Sequence, residues 1–181
     1  MFNYDEVYYT NMYKIYMPTA RDIMLRRWNF VSAANPEVVL DYGCGCNFFA
    51  LYAPKNLVID TYDIGHFDGV LYPQTGIQHS EYDLITFWDV LEHVDWKDKP
   101  DYKILNIMQL ARWVAITVPV KPDDKPIETW KHYKPGEHLT YFTSESMAEF
   151  MGKQGLDQHS DGYIECPPRT DILSMLFKRR L

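Results

Sequence analysis

The chain has little cysteine, no long apolar run and no excess of basic residues. A membrane-spanning helix needs about 20 consecutive apolar residues, and no run in the 181 residues approaches that length, so we expect no membrane span. The net charge of −7 disfavours nucleic acid as a partner, because nucleic-acid binders usually present a basic surface. No signal peptide is recognisable at the amino terminus, and we therefore expect a cytoplasmic protein.

The three cysteines, Cys44, Cys46 and Cys166, do not form the even-numbered framework of a disulfide-rich protein. Their scarcity favours a reducing compartment. Cys44 and Cys46 are separated by one residue, whereas the ligand pairs of zinc sites are usually separated by two or more. We therefore predict no metal site and interpret this pair as packing within a turn.

The chain does contain enough apolar sequence for one α/β domain. Hydrophobic residues make up 46% and charged residues 24% of the sequence, which is typical of a globular domain with a substantial core. We predict this domain over residues 18–181, with Pro18 starting a helix. Residues 1–17 include five tyrosines and are predicted to form an aromatic extension, which either caps the sheet edge or closes over a ligand as a lid.

Residues 38–47, VVLDYGCGCN, predict a buried parallel strand that ends in a glycine-bent loop. Gly43 and Gly45 permit positive φ and let a ligand come within contact distance of the backbone. Asp41, at the tip of this strand, suits a cationic or polyhydroxy ligand and would repel a pyrophosphate. Asp63 follows the next apolar run, where an acid is placed to hydrogen-bond both hydroxyls of a ribose.

Hydrophobic periodicity predicts the elements of the carboxyl-terminal half. A helix with Ile104, Ile107, Met108 and Ala111 on one face precedes a strand at residues 113–118. Thr143 is a candidate N-cap for a further helix. Two final strands are predicted at residues 162–166 and 172–177.

Three motifs follow one another along the chain. Residues 41–45 read acid-x-Gly-x-Gly, with Asn47 in place of a third glycine; residues 82–93 read YDLITFWDVLEH; and residues 138–143 read HLTYFT. In this order they resemble the class I S-adenosylmethionine-dependent methyltransferases, and more narrowly the small-molecule branch often called types 11, 12 and 23. Asn tolerates left-handed backbone better than most residues, so we expect the glycine turn to survive at Asn47.

The resemblance implies an α/β fold with a Rossmann-like sheet, mostly parallel and with an antiparallel last strand. It also implies S-adenosyl-L-methionine as cofactor, S-adenosyl-L-homocysteine as product and a small-molecule methyl acceptor. Nine residues are then expected to bind the cofactor: Asp41, Tyr42, Gly43, Gly45, Asn47, Asp63, Ile64, Trp88 and Asp89. Because so few residues separate Asp63 from Asp83, we expect the sheet to be shortened between strands two and four. The wall of the adenine pocket would then come from a loop residue, Tyr72 or Ile77.

Histidines are the candidate catalytic residues, because deprotonating an oxygen acceptor needs a group that titrates near neutral pH. His138 and His93 are the candidates, although His93 has a structural alternative in which it holds its loop by backbone hydrogen bonds. The long loop at residues 120–137 is typical of functional loops. Three aromatic residues either form the substrate wall or pack beneath this loop: Trp130, Tyr133 and Tyr141.

Two other functions are alternatives to methyl transfer. A nicotinamide-dependent dehydrogenase would need Gly-x-Gly-x-x-Gly, but Phe48 stands at its final glycine position. A domain that binds the cofactor without turnover, as a regulatory or interaction module, agrees with Asn47 and with the shortened middle. We predict in-line methyl transfer to a small molecule, with the inactive module as the alternative.

Overall fold

The structure is a computed structural model that describes residues 6–65, 74–165 and 171–180, without the side chains of residues 6, 9 and 16. Four α-helices lie within these ranges: α1 (Glu6–Phe30), α2 (Phe48–Leu51), α3 (Tyr102–Met108) and α4 (Ser144–Lys153). Short 3₁₀ turns cover Val31–Ala34, Leu91–His93 and Ile127–Thr129. None of the described helices is both long and apolar enough to cross a membrane.

The described strands form one six-stranded sheet. They are β1 (Val38–Tyr42), β2 (Val58–Tyr62), β3 (Tyr82–Trp88), β4 (Ala111–Pro119), β5 (Leu156–Gly162) and β6 (Ile172–Arg179). Their order across the sheet is β2-β1-β3-β4-β6-β5. The first four strands are parallel, and β6 runs antiparallel to both β4 and β5. The predicted fold class, mostly parallel with an antiparallel last strand, is confirmed.

The sheet is shortened between β2 and β3, as predicted. The described residues of this connection, 63–65 and 74–81, contain neither helix nor strand. Thr75 lies beside β2, where its hydroxyl accepts a hydrogen bond from the Thr61 amide at 2.9 Å. Ile77 is partly buried against the core, and Tyr72 lies outside the described residues.

Helix α1 begins at Glu6, rather than at the predicted Pro18, which lies inside it. A proline inside a helix removes one backbone hydrogen bond, so packing has to hold this helix in place. The predicted buried face is correct, since Met24, Trp28 and Val31 are all buried. The division between residues 1–17 and 18–181 falls within this continuous helix and stays a prediction.

Two predictions in the carboxyl-terminal half were wrong at element boundaries. Helix α3 ends at Met108, and Ala111 is the first residue of β4. The strand before β6 is β5, Leu156–Gly162, not residues 162–166, of which Cys166 lies outside the described residues. Strand β5 lies at the sheet edge with mostly exposed side chains, so it lacks the apolar pattern that marks a strand.

The predicted cap of α4 is correct. The Thr143 hydroxyl accepts a hydrogen bond from the Ser146 amide at 3.1 Å, and the Ser146 hydroxyl accepts one from the Thr143 amide at 2.8 Å. This reciprocal arrangement is a capping box. Helices α3 and α4 pack on one face of the sheet, and α1 and α2 pack on the other.

Candidate active site

A cavity of about 990 Å³ lies at the carboxyl ends of the parallel strands. This edge is where open α/β sheets bind their ligands. The cavity is lined by the glycine loop after β1, the residues that follow β2, the turn after β3, one face of α1 and residues 132, 134 and 136–139. Its volume is at the upper end of the roughly 300–1,000 Å³ typical of ligand pockets, which leaves room for a cofactor and a second small molecule.

The glycine loop has the backbone that its sequence predicts. Gly43 and Gly45 have φ of 81° and 51°. A Cβ on Gly43 would lie 2.4 Å from a methyl group of Val90, so no larger residue fits there. Asn47 takes the left-handed conformation, with φ of 62° and ψ of 24°, and leads into α2. The replacement of the third glycine by Asn47 therefore preserves the turn.

Asp41 is buried at the base of this loop. Its carboxylate accepts a hydrogen bond from the Thr86 hydroxyl at 2.7 Å. Burial raises the pKa of Asp41 to about 6, although the Thr86 hydrogen bond and the charge of Arg27 oppose that rise. The buried position of Asp41 at the edge of the cavity therefore disfavours the ionised form of its carboxyl group.

Asp63 and Asp60 both lie near the end of β2, but only Asp63 lines the cavity. Asp63 accepts hydrogen bonds from the amides of Gly45 at 2.8 Å and Gly65 at 2.9 Å. Asp60 is 3% exposed and accepts hydrogen bonds from the Tyr82 hydroxyl at 2.6 Å and from the Gln78 amide at 2.8 Å. Asp63 is therefore the acid that faces the cavity, and Asp60 is buried and bonded within the protein.

Most of the other residues predicted to bind the cofactor also line the cavity. Tyr42 and Trp88 are buried, whereas the side chain of Ile64 is 72% exposed. Asp89 has a positive φ of 57°, which turns the chain away from β3 toward the cavity. Eight of the nine residues therefore line one cavity: Asp41, Tyr42, Gly43, Gly45, Asp63, Ile64, Trp88 and Asp89. Asn47 does not line it and is buried in the glycine turn.

Arg27 of α1 forms an ion-pair network that sequence reasoning missed. Its guanidinium contacts Glu165 at 2.6 Å and Asp89 at 3.1 Å, and it lies over the Trp88 ring at 4.7 Å. Burial alone would lower the pKa of Arg27, but the charges of Glu165 and Asp89 outweigh burial and raise it. The only signal in the sequence was a charged residue adjacent to the apolar stripe of α1.

The turn after β3 is joined to residues 137–140 by hydrogen bonds. The backbone oxygen of Glu92 accepts bonds from the amides of Leu139 at 2.8 Å and Thr140 at 3.1 Å. The Nδ1 of His93 lies 3.0 Å from the backbone oxygen of Glu137. A carbonyl only accepts, so Nδ1 of His93 is the protonated nitrogen. This is the structural role predicted as the alternative for His93.

Two buried polar atoms next to this junction have no hydrogen-bond partner within the described chain. They are Nδ1 of His138 and Oε2 of Glu92, on residues that are 6% and 3% exposed. The His93 and His138 rings meet edge to face at 4.9 Å. Burial, helped by the charges of His93 and Lys134, lowers the pKa of His138 to about 4, so this imidazole is uncharged at neutral pH.

The predicted aromatic residues of the acceptor site are not among those that line the cavity. Tyr133 and Trp130 instead pack against Tyr141, with ring centroids 5.5 Å and 6.1 Å apart. Tyr141 lies 6.5 Å from the ring of His138. Their observed packing is the alternative in which they support the loop, and a direct role toward substrate stays a prediction.

Both described cysteines are packed within the glycine loop. Burial raises the pKa of the Cys46 thiol to about 11 and that of Cys44 further still, so neither is a thiolate at neutral pH. A protonated thiol is a poor nucleophile and a poor metal ligand, in agreement with the interpretation of this pair as turn packing.

The described side chains of the amino-terminal segment lie both against α2 and beside the cavity, and a cap or a lid role for this segment stays a prediction. Tyr13 stacks on Phe48 of α2 with centroids 5.5 Å apart, as a cap would. Tyr8 and Met12 line the cavity, as a lid would. Tyr4 lies outside the described residues. Helix α1 therefore both covers the sheet and borders the ligand space.

Comparison with known proteins supports the same family. Residues 16–160 match the methyltransferase domain family, and curated protein sequences gave no match. Magnesium protoporphyrin IX methyltransferase from Synechocystis PCC 6803, crystallised with S-adenosylhomocysteine, is 15% identical with a TM-score of 0.64, over 88% of this chain and 83% of that one. A Burkholderia thailandensis 1,6-didemethyltoxoflavin-N1-methyltransferase is 15% identical with a TM-score of 0.67, over 94% and 83%. Human N-acetylserotonin methyltransferase is 15% identical with a TM-score of 0.66, over 96% and 55%. The chain belongs to the methyltransferase domain family, and its fold is that of the class I S-adenosylmethionine-dependent methyltransferases.

Proposed function

We propose that the protein transfers a methyl group from S-adenosyl-L-methionine to a small-molecule acceptor by in-line displacement. The observation that carries this proposal is that Gly43, Gly45 and Asp63 line the same cavity as His93 and His138. The first group suits a nucleoside cofactor, and the second offers uncharged imidazoles where the acceptor would lie.

The cofactor would lie against the glycine loop and the end of β2. Asp63 accepts the ribose hydroxyls, and Gly43 and Gly45 let the methionine part approach the backbone. Trp88 and Tyr42 supply buried aromatic surface beneath it. The carboxylates of Asp41, Asp63 and Asp89 favour a ligand that carries the positive charge of a sulfonium.

The acceptor would occupy the part of the cavity between α1 and residues 132–139. The cofactor brings its leaving group already activated, so the protein has to orient the acceptor, exclude water and remove a proton where the nucleophile carries one. We assign the last role to His138, with His93 beside it. The segment that carries His138 is supported by the packed rings of Trp130, Tyr133 and Tyr141. In this proposal these three rings do not contact the substrate directly.

The proposed acceptor class, a small molecule, rests on the boundaries of the cavity and on the charge of the chain. The cavity is bounded by helix α1 and loops, and the chain has a net charge of −7, which does not favour a phosphate backbone. Two of the structural neighbours are methyltransferases of magnesium protoporphyrin IX and of 1,6-didemethyltoxoflavin. A planar small molecule is therefore the first acceptor class to test.

Thermal unfolding with S-adenosylhomocysteine tests the cofactor half of the proposal. Ligand at about 100 times Kd should stabilise the fold by roughly 2.7 kcal/mol, and NAD at the same concentration should not. A melting shift with NAD alone would overturn the assignment.

Labelling tests the acceptor half. Incubation of the protein and methyl-labelled cofactor with a fractionated metabolite extract should yield a labelled small molecule. Cofactor binding without any labelled product, across extracts and defined small molecules, would favour the inactive regulatory module instead.

A further inference from the structure

We propose that Glu92, His93 and His138 bind a divalent transition-metal cation at the acceptor side of the cavity. One ligand atom from each residue lies within 4.8 Å of the other two. Two imidazoles and one carboxylate are a ligand set suited to Zn²⁺, Mn²⁺, Fe²⁺ or Co²⁺. No metal site was expected here from the sequence, and only two of these residues are neighbours in the chain, so the fold brings His138 to the other two.

The unpartnered atoms are the observation that points to a cation. Oε2 of Glu92 and Nδ1 of His138 have no hydrogen-bond partner within the described chain, on residues that are 3% and 6% exposed. A buried polar atom without a partner costs about 1–3 kcal/mol. A ligand that satisfies both atoms would remove this cost.

The orientation of His93 agrees with the same conclusion. Its Nδ1 donates to the backbone oxygen of Glu137 at 3.0 Å, and this bond holds the ring beside Glu92 and His138. Histidines that bind metals usually donate their other ring N–H to a carbonyl or carboxylate in this way. The ring is thereby held in one tautomer.

The three ligand atoms would have to move only slightly closer together to share one cation. Ligand atoms about 2.1 Å from a cation lie at most about 4.2 Å apart, compared with 4.8 Å for the cluster. The backbone of Glu92 is already bound to the amides of Leu139 and Thr140, so side-chain movements of less than about 1 Å suffice.

The charges around the cluster also favour a cation. The carboxylates of Asp89 and Glu137 and the ammonium group of Lys134 act on Glu92. Lys134 pairs with Glu137 at 3.3 Å, and Asp89 pairs with Arg27. These neighbouring charges are each paired, whereas Oε2 of Glu92 has no hydrogen-bond partner within the described chain.

The cation would supply the chemistry of the acceptor site, a step that rests on the proposed function. Three protein ligands leave positions open toward the cavity for an acceptor hydroxyl, whose pKa a bound cation lowers. The hydroxyl proton leaves to water, the oxygen bonds to the methyl carbon, and the carbon–sulfur electron pair returns to sulfur. His138 then acts as a ligand, since a nitrogen bound to a cation has no lone pair for a proton.

Calorimetric titration of the chelator-treated full chain with MnCl₂ or ZnCl₂ tests the site without any cofactor. We expect one cation per chain, with Mg²⁺ bound more weakly because imidazole ligands suit it poorly. Glu92→Gln, His93→Ala and His138→Ala should each weaken binding by at least about 100-fold, beyond the 10–100-fold lost when a supporting partner is removed. Exposed Glu149→Gln on α4 and His159→Ala on β5 are the matched controls and should bind as the parent does.

Two further measurements keep the outcome clear. The Co²⁺ absorption spectrum of the unmodified chain should report nitrogen ligands even if a variant folds poorly. No binding by the parent chain at millimolar Mn²⁺ and Zn²⁺, or equal binding by all five variants, would overturn the proposal. Thermal unfolding with S-adenosylhomocysteine on the same samples separates the two proposals. A chain that binds the cofactor but no cation would overturn only the cation site. A chain that binds a cation but no cofactor would overturn only the proposed function.

Discussion

Arg27 and Glu165, 138 positions apart in the chain, form a buried bidentate ion pair beside the cavity. Nε of Arg27 lies 2.6 Å from one carboxylate oxygen of Glu165, and Nη2 lies 3.0 Å from the other. The pair joins α1 to the segment before β6. The same guanidinium contacts Asp89 at 3.1 Å, so it also fixes the turn that follows β3.

Removing one member of this pair should be strongly destabilising. Glu165→Gln leaves the Arg27 charge buried with a weaker partner, and the loss of one member of a buried ion pair typically costs about 3–5 kcal/mol. Urea unfolding measures the change. The double variant Arg27→Met with Glu165→Met should recover part of the loss, because no buried charge is left, whereas Arg180→Ala in an exposed pair should have little effect. Equal, small effects for all three would contradict a structural role for the pair.

Alanine substitutions of Asp63 and Asp60 should have different effects, the first on cofactor binding and the second on stability. Asp63→Ala removes a charged acceptor of hydrogen bonds and should weaken cofactor binding by about ten- to more than a hundredfold, measured by calorimetry with S-adenosylhomocysteine. Asp60→Ala should instead lower the melting temperature, because it breaks the bonds from Tyr82 and Gln78. The reverse pattern would mean that Asp60 is the acid facing the cofactor.

The pKa of Asp60 adds a pH dependence to this prediction. Burial alone would raise this pKa, but hydrogen bonds from Tyr82, His79 and Gln78 outweigh burial and lower it below the ordinary 3.8. The stabilisation is therefore present above about pH 3.8 and lost as pH falls through the lower folded value. The stability difference between the parent and Asp60→Ala should shrink below that pH, which unfolding between pH 3 and 7 will measure.

Asp41→Asn should stabilise the unliganded protein. The folded pKa of about 6 lies above the ordinary 3.8, so the folded state favours the protonated form and ionisation costs stability between these pH values. At pH 7.5 the full difference corresponds to at most about 3 kcal/mol, and it should narrow as pH falls toward 4. Melting curves at pH 7.5 and 5 measure it. An Asn variant less stable than the parent at pH 7.5 would show that the Asp41 charge is better solvated than its burial implies.

His138→Ala should affect turnover and leave cofactor binding unchanged. His138 lies on the acceptor side of the cavity, away from Asp63 and the glycine loop, so the melting shift with S-adenosylhomocysteine should persist. Methyl transfer should fall by roughly 100-fold or more, whether the imidazole takes a proton or holds a cation. His159→Ala, at the sheet edge, is the control. A variant that only melts earlier, with the parent's rate per folded molecule, would make His138 a core residue.

Gly43 offers a test of the loop geometry. Its φ of 81° and the 2.4 Å approach of Val90 to an added Cβ both disfavour Gly43→Ala, which should lower stability by more than 1 kcal/mol. Gly136→Ala has an equally positive φ but no neighbour within 4 Å, so the difference between the two variants isolates the steric contact. Equal losses would mean that only backbone strain matters at Gly43.

Local sequence patterns were sufficient for the strand-and-loop part of the cofactor site. Apolar runs predicted β1, β2 and β3, and glycine and acid spacing located Asp41, Gly43 and Asp63, because backbone conformation and strand ends are short-range properties. Boundaries that depend on tertiary context were wrong. Helix α1 continues through Pro18 because its buried face packs on the sheet, and β5 is a strand because β6 pairs with it, although its own side chains are mostly polar.

By itself, the sequence determined the fold class, the order of the motifs and the residues of the glycine loop, since each is set by neighbours a few positions apart. Only the tertiary structure decided which polar groups meet across the cavity. Arg27 meets Glu165, and Glu92 meets His138, because strand order and loop closure bring distant segments to one edge of the sheet. No short-range pattern encodes those distances, and both the ion pair and the proposed cation site depend on them.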